Sequence, residues 1–410
     1  MSTLPRLRVF VHVGAPKTGT SAVQEVLFRN QEDLAAQGIL YPAERFDEHF
    51  LAALDLMEMS WGGLEREAVG AWDRLAERIR EWEGTAIVSH EILATASRAQ
   101  VRRALGSFGD AEVHVVYSAR DLVRQIPAEW QENVKHRTTI GYRDFLDTVQ
   151  DPGRTGRLAS WFWGVQEVPD VLSRWGSALP PERVHLVTVP RPGAPRDLLW
   201  QRFASVLGID TDEFGSVGDR SNPSLGVAES VVMQRINERV NVGVLSNHHY
   251  RELVRELLAH RTLSTRTGST RLALPPDVAA WAEELSESWV GSLERSGYDV
   301  VGALDELRPE PVSGSAGFVS PDAPDEAEVA DATVEAVVAL LREAARLREV
   351  EEALQGELDT VRRERDEAWA ATGVIYRTKQ RMVRAAGHNP LARAGLGVYR
   401  KVRGRSSRSA

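Results

Sequence analysis

His12-Val13-Gly14-Ala15-Pro16-Lys17-Thr18-Gly19-Thr20-Ser21 closes a short Val-rich run, Arg8–Val13, and leads into a helical pattern. A strand, a glycine-rich turn and a helix in that order form a cradle for an anion. The turn exposes backbone N–H groups and the helix start adds its dipole. Gly14 and Gly19 have the spacing of the ATP/GTP loop G-x-x-x-x-G-K-[ST]. Thr20 stands where that loop has its lysine, and the lysine comes earlier, at Lys17. The positive charge therefore approaches the anion from the loop and not from the helix.

Outward from this loop, strands and helices alternate. Arg8–Val13, Thr85–Ser89, Val113–Ser118 and Arg183–Val189 are short, Val-rich runs bounded by turn or polar residues. Between and after them lie helical stretches at Gln24–Gln37, Glu65–Trp82, Asp197–Leu207, Val227–Asn241 and Val278–Ser296. This alternation predicts an α/β fold, a P-loop-like parallel sheet with helices on both faces, over residues 1–308.

The 410 residues are 42% hydrophobic and 27% charged, a globular composition with enough apolar mass for a sizeable core. A net charge of −9 speaks against a globally basic nucleic-acid binder. The absence of cysteine removes disulfide scaffolds, thiolate nucleophiles and Cys-ligated zinc, and it fits a reducing cytosol. The apolar run Val9–Val13 is too short for a secretory signal, and no stretch is long enough to span a membrane.

The chain changes character after residue 308. Residues 309–331 are rich in Pro, Ser, Gly and acids and read as a flexible linker. From 332 to 371, Val337, Leu340, Ala344, Leu347, Leu354, Leu358, Val361 and Ala368 recur at steps of three and four. That predicts a coiled-coil helix, with Glu351 and Arg365 at two seam positions and a homo-oligomer as its consequence. Residues 309–371 hold 16 acids and 6 bases, whereas 372–410 hold 10 bases and no acid. Such a tail suits an anionic membrane or another polyanion, which makes a cytoplasmic protein peripheral to the inner membrane face the expected setting.

Pro16-Lys17-Thr18-Gly19-Thr20-Ser21 resembles the 5′-phosphosulfate loop of sulfotransferases, enzymes that use 3′-phosphoadenosine 5′-phosphosulfate as sulfuryl donor. Val115-Val116-Tyr117-Ser118-Ala119-Arg120-Asp121 looks like the strand that delivers the family's 3′-phosphate arginine. Trp161-Phe162-Trp163, Val187-Thr188-Val189-Pro190 and Leu199-Trp200-Gln201-Arg202-Phe203 look like an actinobacterial branch of the family. The resemblance covers residues 8–308. It implies that Gly14, Pro16, Lys17, Thr18, Gly19, Thr20 and Ser21 hold the 5′ end of the donor and Arg120 the 3′-phosphate. The family places a serine eight residues after the arginine, and here that position is Ala128. Arg124 offers a substitute, since arginine forks onto phosphate; its plainer reading is a surface helix residue. Arg266-Thr267-Gly268 resembles the family's late basic loop.

Sulfuryl transfer in line depends on positioning and electrostatics, by analogy with phosphoryl transfer. The resemblance gives Lys17 the charge that builds on the leaving 5′-phosphate, and it requires no metal. An alcohol acceptor must also lose its proton to a base within reach. Open α/β sheets bind ligands beyond the C-terminal ends of their strands. Thr85–Ser89 ends directly in His90-Glu91, and either residue can take a proton. Carbohydrate sulfotransferases often use a glutamate in a comparable position and cytosolic ones a histidine, so Glu91 is the expected base and His90 the alternative. His12 reads as a packed strand histidine.

Trp130, Lys135 and Arg137, with Trp161, Phe162 and Trp163, could hold a sugar face and its charged groups. Each tryptophan has an equally ordinary place in a core. The expected acceptor is a hydroxyl, on a carbohydrate or glycolipid. Two alternatives stand beside this reading: a nucleotide-dependent kinase with Asp121 holding magnesium, and a non-catalytic nucleotide- or glycan-binding protein with an interaction tail.

Overall fold

The computed structural model describes residues 7–211, 224–240, 242–310, 318–388 and the positions 391, 394, 395, 398 and 401. Among the described residues, six strands form one parallel sheet: β1 (Arg8–His12), β2 (Ile39–Leu40), β3 (Thr85–Ser89), β4 (Glu112–Ala119), β5 (Val184–Thr188) and β6 (Asp299–Val301). Their order is β2-β3-β1-β4-β5-β6. Helices surround the sheet, and a long helix, Glu326–His388, follows the last strand.

The four inner strands carry the Val-rich runs, because a strand buried on both faces needs apolar side chains on both. β3 and β5 are buried at every residue. On one face Phe10, Ile87, Val116 and Val187 pack against Val23 and Leu27 of helix Thr20–Arg29 and against Trp200 and Phe203 of helix Leu198–Leu207. On the other, Tyr117 is fully buried and its hydroxyl donates to the Val165 carbonyl at 2.7 Å, in helix Gly156–Gln166.

The strand order places the site. After β1 the chain moves to the β2–β3 side, and after β4 it moves to the β5–β6 side. β1 and β4 are neighbours, so their outgoing connections part and leave a crevice at their C-terminal ends.

Several expected elements have different bounds. Gln24–Gln37 is two helices, Thr20–Arg29 and Gln31–Ala36, broken at Asn30, whose side chain donates back to the Val26 carbonyl at 2.7 Å. Glu65–Trp82 is also two, Glu65–Ala68 and Ala71–Arg80, because Gly70 takes a left-handed φ of 72° between them.

Two structural units divide the chain, Met1–Val337 and Val338–Ala410. The helix Glu326–His388 begins six residues before the expected coiled-coil start and continues past its expected end. Its first turns belong to the first unit, where Val329, Ala332 and Ala336 are buried and Glu326 takes a forked ion pair from Arg235 at 2.8 and 2.6 Å. Part of the expected flexible linker is also tied down. Asp322 accepts from the backbone N–H groups of Tyr142 and Arg143, both at 2.8 Å. Residues 311–317 of that linker, and Arg393, Arg400, Arg403, Arg405 and Arg408 of the basic tail, lie outside the described residues. Among the described residues no helix is long and apolar enough to cross a membrane.

Candidate active site

The loop after β1 is built by close backbone approaches. Gly14 has a φ of 121°, and a Cβ there would sit 3.0 Å from the Glu91 carbonyl oxygen and 3.4 Å from its Cα. Only glycine allows the loop to lie against Glu91 in this way. β4 holds the loop from the other side. The Ala15 N–H donates to the Ser118 carbonyl at 2.9 Å, and the Ser118 hydroxyl donates to the Gly14 carbonyl at 2.9 Å. The Pro16 carbonyl accepts from Gln125 at 2.8 Å and from Gln166 at 3.3 Å. With its surroundings fixed, Lys17 is held at a φ of 63°, a conformation that costs a non-glycine residue energy and that clusters at functional sites.

The expected loop residues divide into two groups. The Thr18 hydroxyl is committed to the loop itself: it donates to the Ala15 carbonyl at 2.6 Å and lies 2.5 Å from the Ser118 hydroxyl. Thr20 is buried at the first turn of its helix, while Ser21 is exposed. That helix has Gly19 at its N-cap, no side-chain cap and no acid in its first turn. Its leading N–H groups are the unsatisfied donors an anion would use.

Lys17 Nζ meets Glu132 Oε2 at 2.6 Å. Glu132 lies on helix Leu122–Lys135 at the centre of a basic group: His136 and Arg255 reach its other oxygen at 3.1 Å, and Lys135 stands 3.9 Å away. Burial alone would raise the Glu132 carboxyl, but Lys17 first, then His136, Lys135 and Arg255, hold it well below the usual carboxylate range. Lys135 is nearly fully buried, and that burial, with the charge of Lys17, lowers it to about 8. One turn before Glu132, buried Glu129 accepts from Gln166 at 2.8 Å. Burial raises Glu129 to about 7, against the pull of Lys17 and with a push from Glu132.

Arg120 leaves the end of β4. Its guanidinium donates to the Gln125 side chain at 3.0 Å and to the Arg124 carbonyl at 3.1 Å, and it forms no ion pair among the described residues. Burial, then the charges of Arg124 and Arg271, lower it to about 10, with Asp121 and Glu129 opposing. Arg124 is occupied differently. Its Nε pairs with Asp121 and its Nη1 donates to the Pro190 carbonyl at 3.3 Å. Asp121 in turn caps the helix through the Arg124 N–H at 3.0 Å. Arg266 pairs with Glu229 and Glu335, each at 2.7 Å. In the late loop, the charge of Arg271 is felt at Arg120.

At the end of β3, Glu91 and His90 are both half-buried. Gln24, one turn into helix Thr20–Arg29, donates to Glu91 Oε2 at 3.1 Å. Burial raises the Glu91 carboxyl, but His90, its own N–H, Gln24 and His12 together leave it below its ordinary value. His90 is lowered by burial, and its Nδ1 accepts the Ile92 N–H at 3.3 Å, so the neutral ring keeps its proton on Nε2. His12 is buried, 2.7 Å from the Ser89 hydroxyl, and burial lowers it to about 4. It is the packed strand histidine expected.

An aromatic wall connects the two ends of the site. Phe50 stacks on His90 at 5.0 Å between ring centres, Trp61 meets Phe50 at 5.8 Å, and Trp161 and His136 meet Trp61 at 6.0 and 6.2 Å. Phe50, Trp61 and Trp161 are half-buried. The other expected acceptor aromatics lie in the core. Trp130 donates to the Ile140 carbonyl at 3.1 Å, and Trp163 to the Val149 carbonyl at 3.1 Å with Arg154 over its ring. Phe162 is buried beside Trp163. Arg137 is spent on the Tyr250 ring, 4.1 Å away, and on the Leu245 carbonyl.

The structure thus gathers Lys17, Gly14, Pro16, Glu91 and His90 at one end of β1 and β3, and Arg120 at the adjoining end of β4. Gln24, Gln125, Gln166, Glu129, Glu132 and Arg255 were not singled out from sequence. Glu132 carried one usable signal, its place one helical turn beyond Ala128. Among the described residues no three His, Asp or Glu side chains converge as metal ligands.

No protein-family model matches the chain, and no curated protein does. Two solved structures are similar to it. One is a sulfotransferase from Alicyclobacillus acidocaldarius, at 19% identity over 61% of this chain and 99% of that one, with a TM-score of 0.38. The other is the sulfotransferase domain from the curacin biosynthetic pathway, at 14% identity over 53% of this chain and 77% of that one, with a TM-score of 0.30.

Proposed function

We propose that this chain is a sulfotransferase of the actinobacterial type that moves a sulfuryl group from 3′-phosphoadenosine 5′-phosphosulfate to a hydroxyl of a carbohydrate or glycolipid. The observation that carries this reading is the pairing of two cationic anchors at the ends of adjacent strands. Lys17 and an uncapped helix start follow β1, and Arg120, with no acidic partner among the described residues, follows β4. A ligand with separated 5′ and 3′ anions fits that pairing.

The donor supplies an SO3 unit already bonded to a good leaving group, its 5′-phosphate. The chain's own residues then have three tasks. Loop N–H groups and the helix start hold the 5′ end, and Lys17 neutralises charge on the bridging oxygen as the sulfur–oxygen bond breaks. Arg120 holds the 3′-phosphate, with Arg271 adding positive charge. Glu91 takes the acceptor hydroxyl proton as the new sulfur–oxygen bond forms. Its lowered carboxyl is ionised at neutral pH, as a base must be, and Gln24 fixes its orientation. Phe50, Trp61 and Trp161 line the approach to it, suited to the apolar face of a sugar ring.

The kinase alternative loses support at Asp121, whose two oxygens are engaged by the Arg124 backbone and side chain and so are poorly free to hold magnesium. Calorimetric titration with 3′-phosphoadenosine 5′-phosphate, the desulfated product, tests the proposal. Binding that weakens markedly in Lys17→Ala and Arg120→Ala is expected. Absence of binding, or a preference for Mg-ATP, would overturn it.

A further inference from the structure

The second structural unit is dominated by one helix, and the chemistry of its surface specifies a partner. With Val337 as position a of a heptad, the d positions are Leu340, Leu347, Leu354, Val361, Ala368, Ile375 and Met382, apolar without interruption. All are exposed; the five Leu and Ile or Val members range from 39% at Leu340 to 61% at Ile375. The row continues eleven residues beyond 371, the end expected from sequence. A helix this long draws most of its stability from covering such a stripe, and an exposed apolar stripe of this length marks an interaction surface.

We propose that residues 338–388 pair with the same segment of a second copy of this chain as a parallel, in-register, two-stranded coiled coil. The flanking positions decide both partner and direction. Position g carries Glu343, Val350, Glu357, Glu364, Ala371 and Thr378, with acids and no base. Position e carries Leu341, Arg348, Gln355, Arg362, Trp369 and Tyr376, with bases and no acid. In a parallel pair, each g residue faces the e residue five positions further along the partner. Glu343 then meets the second copy's Arg348, and Glu357 meets its Arg362, and no flanking pair has like charges. An antiparallel pair sets g against g and e against e. With one flank acidic and the other basic, no antiparallel register brings opposite flanking charges together. A parallel shift by one heptad in either direction breaks both attractions and makes a single new one, Glu364 with Arg362.

The a positions set a limit on this association. Ala344 and Leu358 are apolar, but Glu351, Arg365 and Lys379 would each face their own copy across the seam. Like charges facing each other at position a repel across the seam and cost affinity, so the register is set by the flanking pairs. The pair is therefore built to be specific and moderately tight. This inference stands independently of the chemistry assigned to the first unit.

The full chain tests it. Sedimentation equilibrium at micromolar concentration should give twice the 45.4 kDa chain mass; the mass of one chain, or of any assembly other than two, would overturn the proposal. The protein has no cysteine of its own, so single substitutions report cleanly. Leu347→Cys and Ile375→Cys, made separately, should both form interchain disulfides under mild oxidation in more than about half of the molecules. An antiparallel pair brings a residue to its own copy only at the midpoint, so crosslinking at one site alone would overturn the orientation. Glu351→Leu should tighten dimerisation at least tenfold, and unchanged or weaker association would remove Glu351 from the seam.

Discussion

Lys17 and Glu132 form an ion pair of 2.6 Å between residues 115 positions apart, and the carboxylate sits where the lysine would otherwise be free for an anionic ligand. Both side chains are mostly shielded, at 25% and 20% exposure, so the pair is stronger than a surface salt bridge. A donor must compete with it. Glu132→Gln should therefore bind 3′-phosphoadenosine 5′-phosphate more tightly, by about tenfold, which corresponds to roughly 1.4 kcal/mol. Calorimetry decides the matter: weaker binding would mean that Glu132 supports Lys17 instead of competing for it.

Glu91 and His90 are separable by their protonation. A carboxylate ionised at neutral pH can serve as base, whereas a histidine whose Nδ1 accepts a backbone N–H cannot take a proton there without losing that bond. Glu91→Gln should lower turnover by about a hundredfold or more and leave product affinity nearly unchanged. His90→Asn should cost far less. Rates of sulfuryl transfer by both variants to one hydroxyl acceptor would show the reverse order if the histidine were the base.

Arg120 and Arg124 predict opposite losses. Arg120 has no acidic partner among the described residues to leave behind, so Arg120→Ala should weaken product binding by at least tenfold and cost less stability than Arg124→Ala. Arg124 holds Asp121 and the Pro190 carbonyl, so Arg124→Ala should lower the melting temperature, with a loss of about 1–3 kcal/mol, and affect binding less. Thermal melts beside titrations distinguish the two.

Glu129 gives the fold a pH dependence. Its carboxyl is raised from 4.5 to about 7, so between those values the folded chain holds the proton more tightly than the unfolded one. That contribution to stability is full below about 4.5 and is lost as the pH rises through 7. Denaturant titrations should show a decline from pH 5 to 8 that Glu129→Gln flattens. A wild-type stability that rises across that interval, with the variant unchanged from it, would contradict this.

The inner sheet was legible because strands buried on both faces demand continuous Val-rich runs. β2 and β6, of two and three residues, are too short to leave a pattern and exist through pairing with neighbours. Lys17, Arg120 and Glu91 were legible through short motifs at strand ends. Glu132 was not, because its meaning depends on a lysine 115 residues away. Nor could adjacent tryptophans be told apart. Trp161 faces the wall with Trp61, while Trp163 turns to Trp281 and Trp289, which lie far along the chain.

The β1–β4 pairing has one further consequence. His12 lies in register with Val116, and the Ala15–Ser118 hydrogen bond continues that alignment into the loop. The loop that bears Lys17 is therefore clamped by its backbone to the strand that delivers Arg120, and the two proposed anchors are jaws of a caliper hinged on adjacent strands about 4.8 Å apart. A molecule carrying only one anion would meet one jaw and leave the other empty. Selectivity for a two-anion ligand would then rest on that backbone clamp as well as on the two side chains.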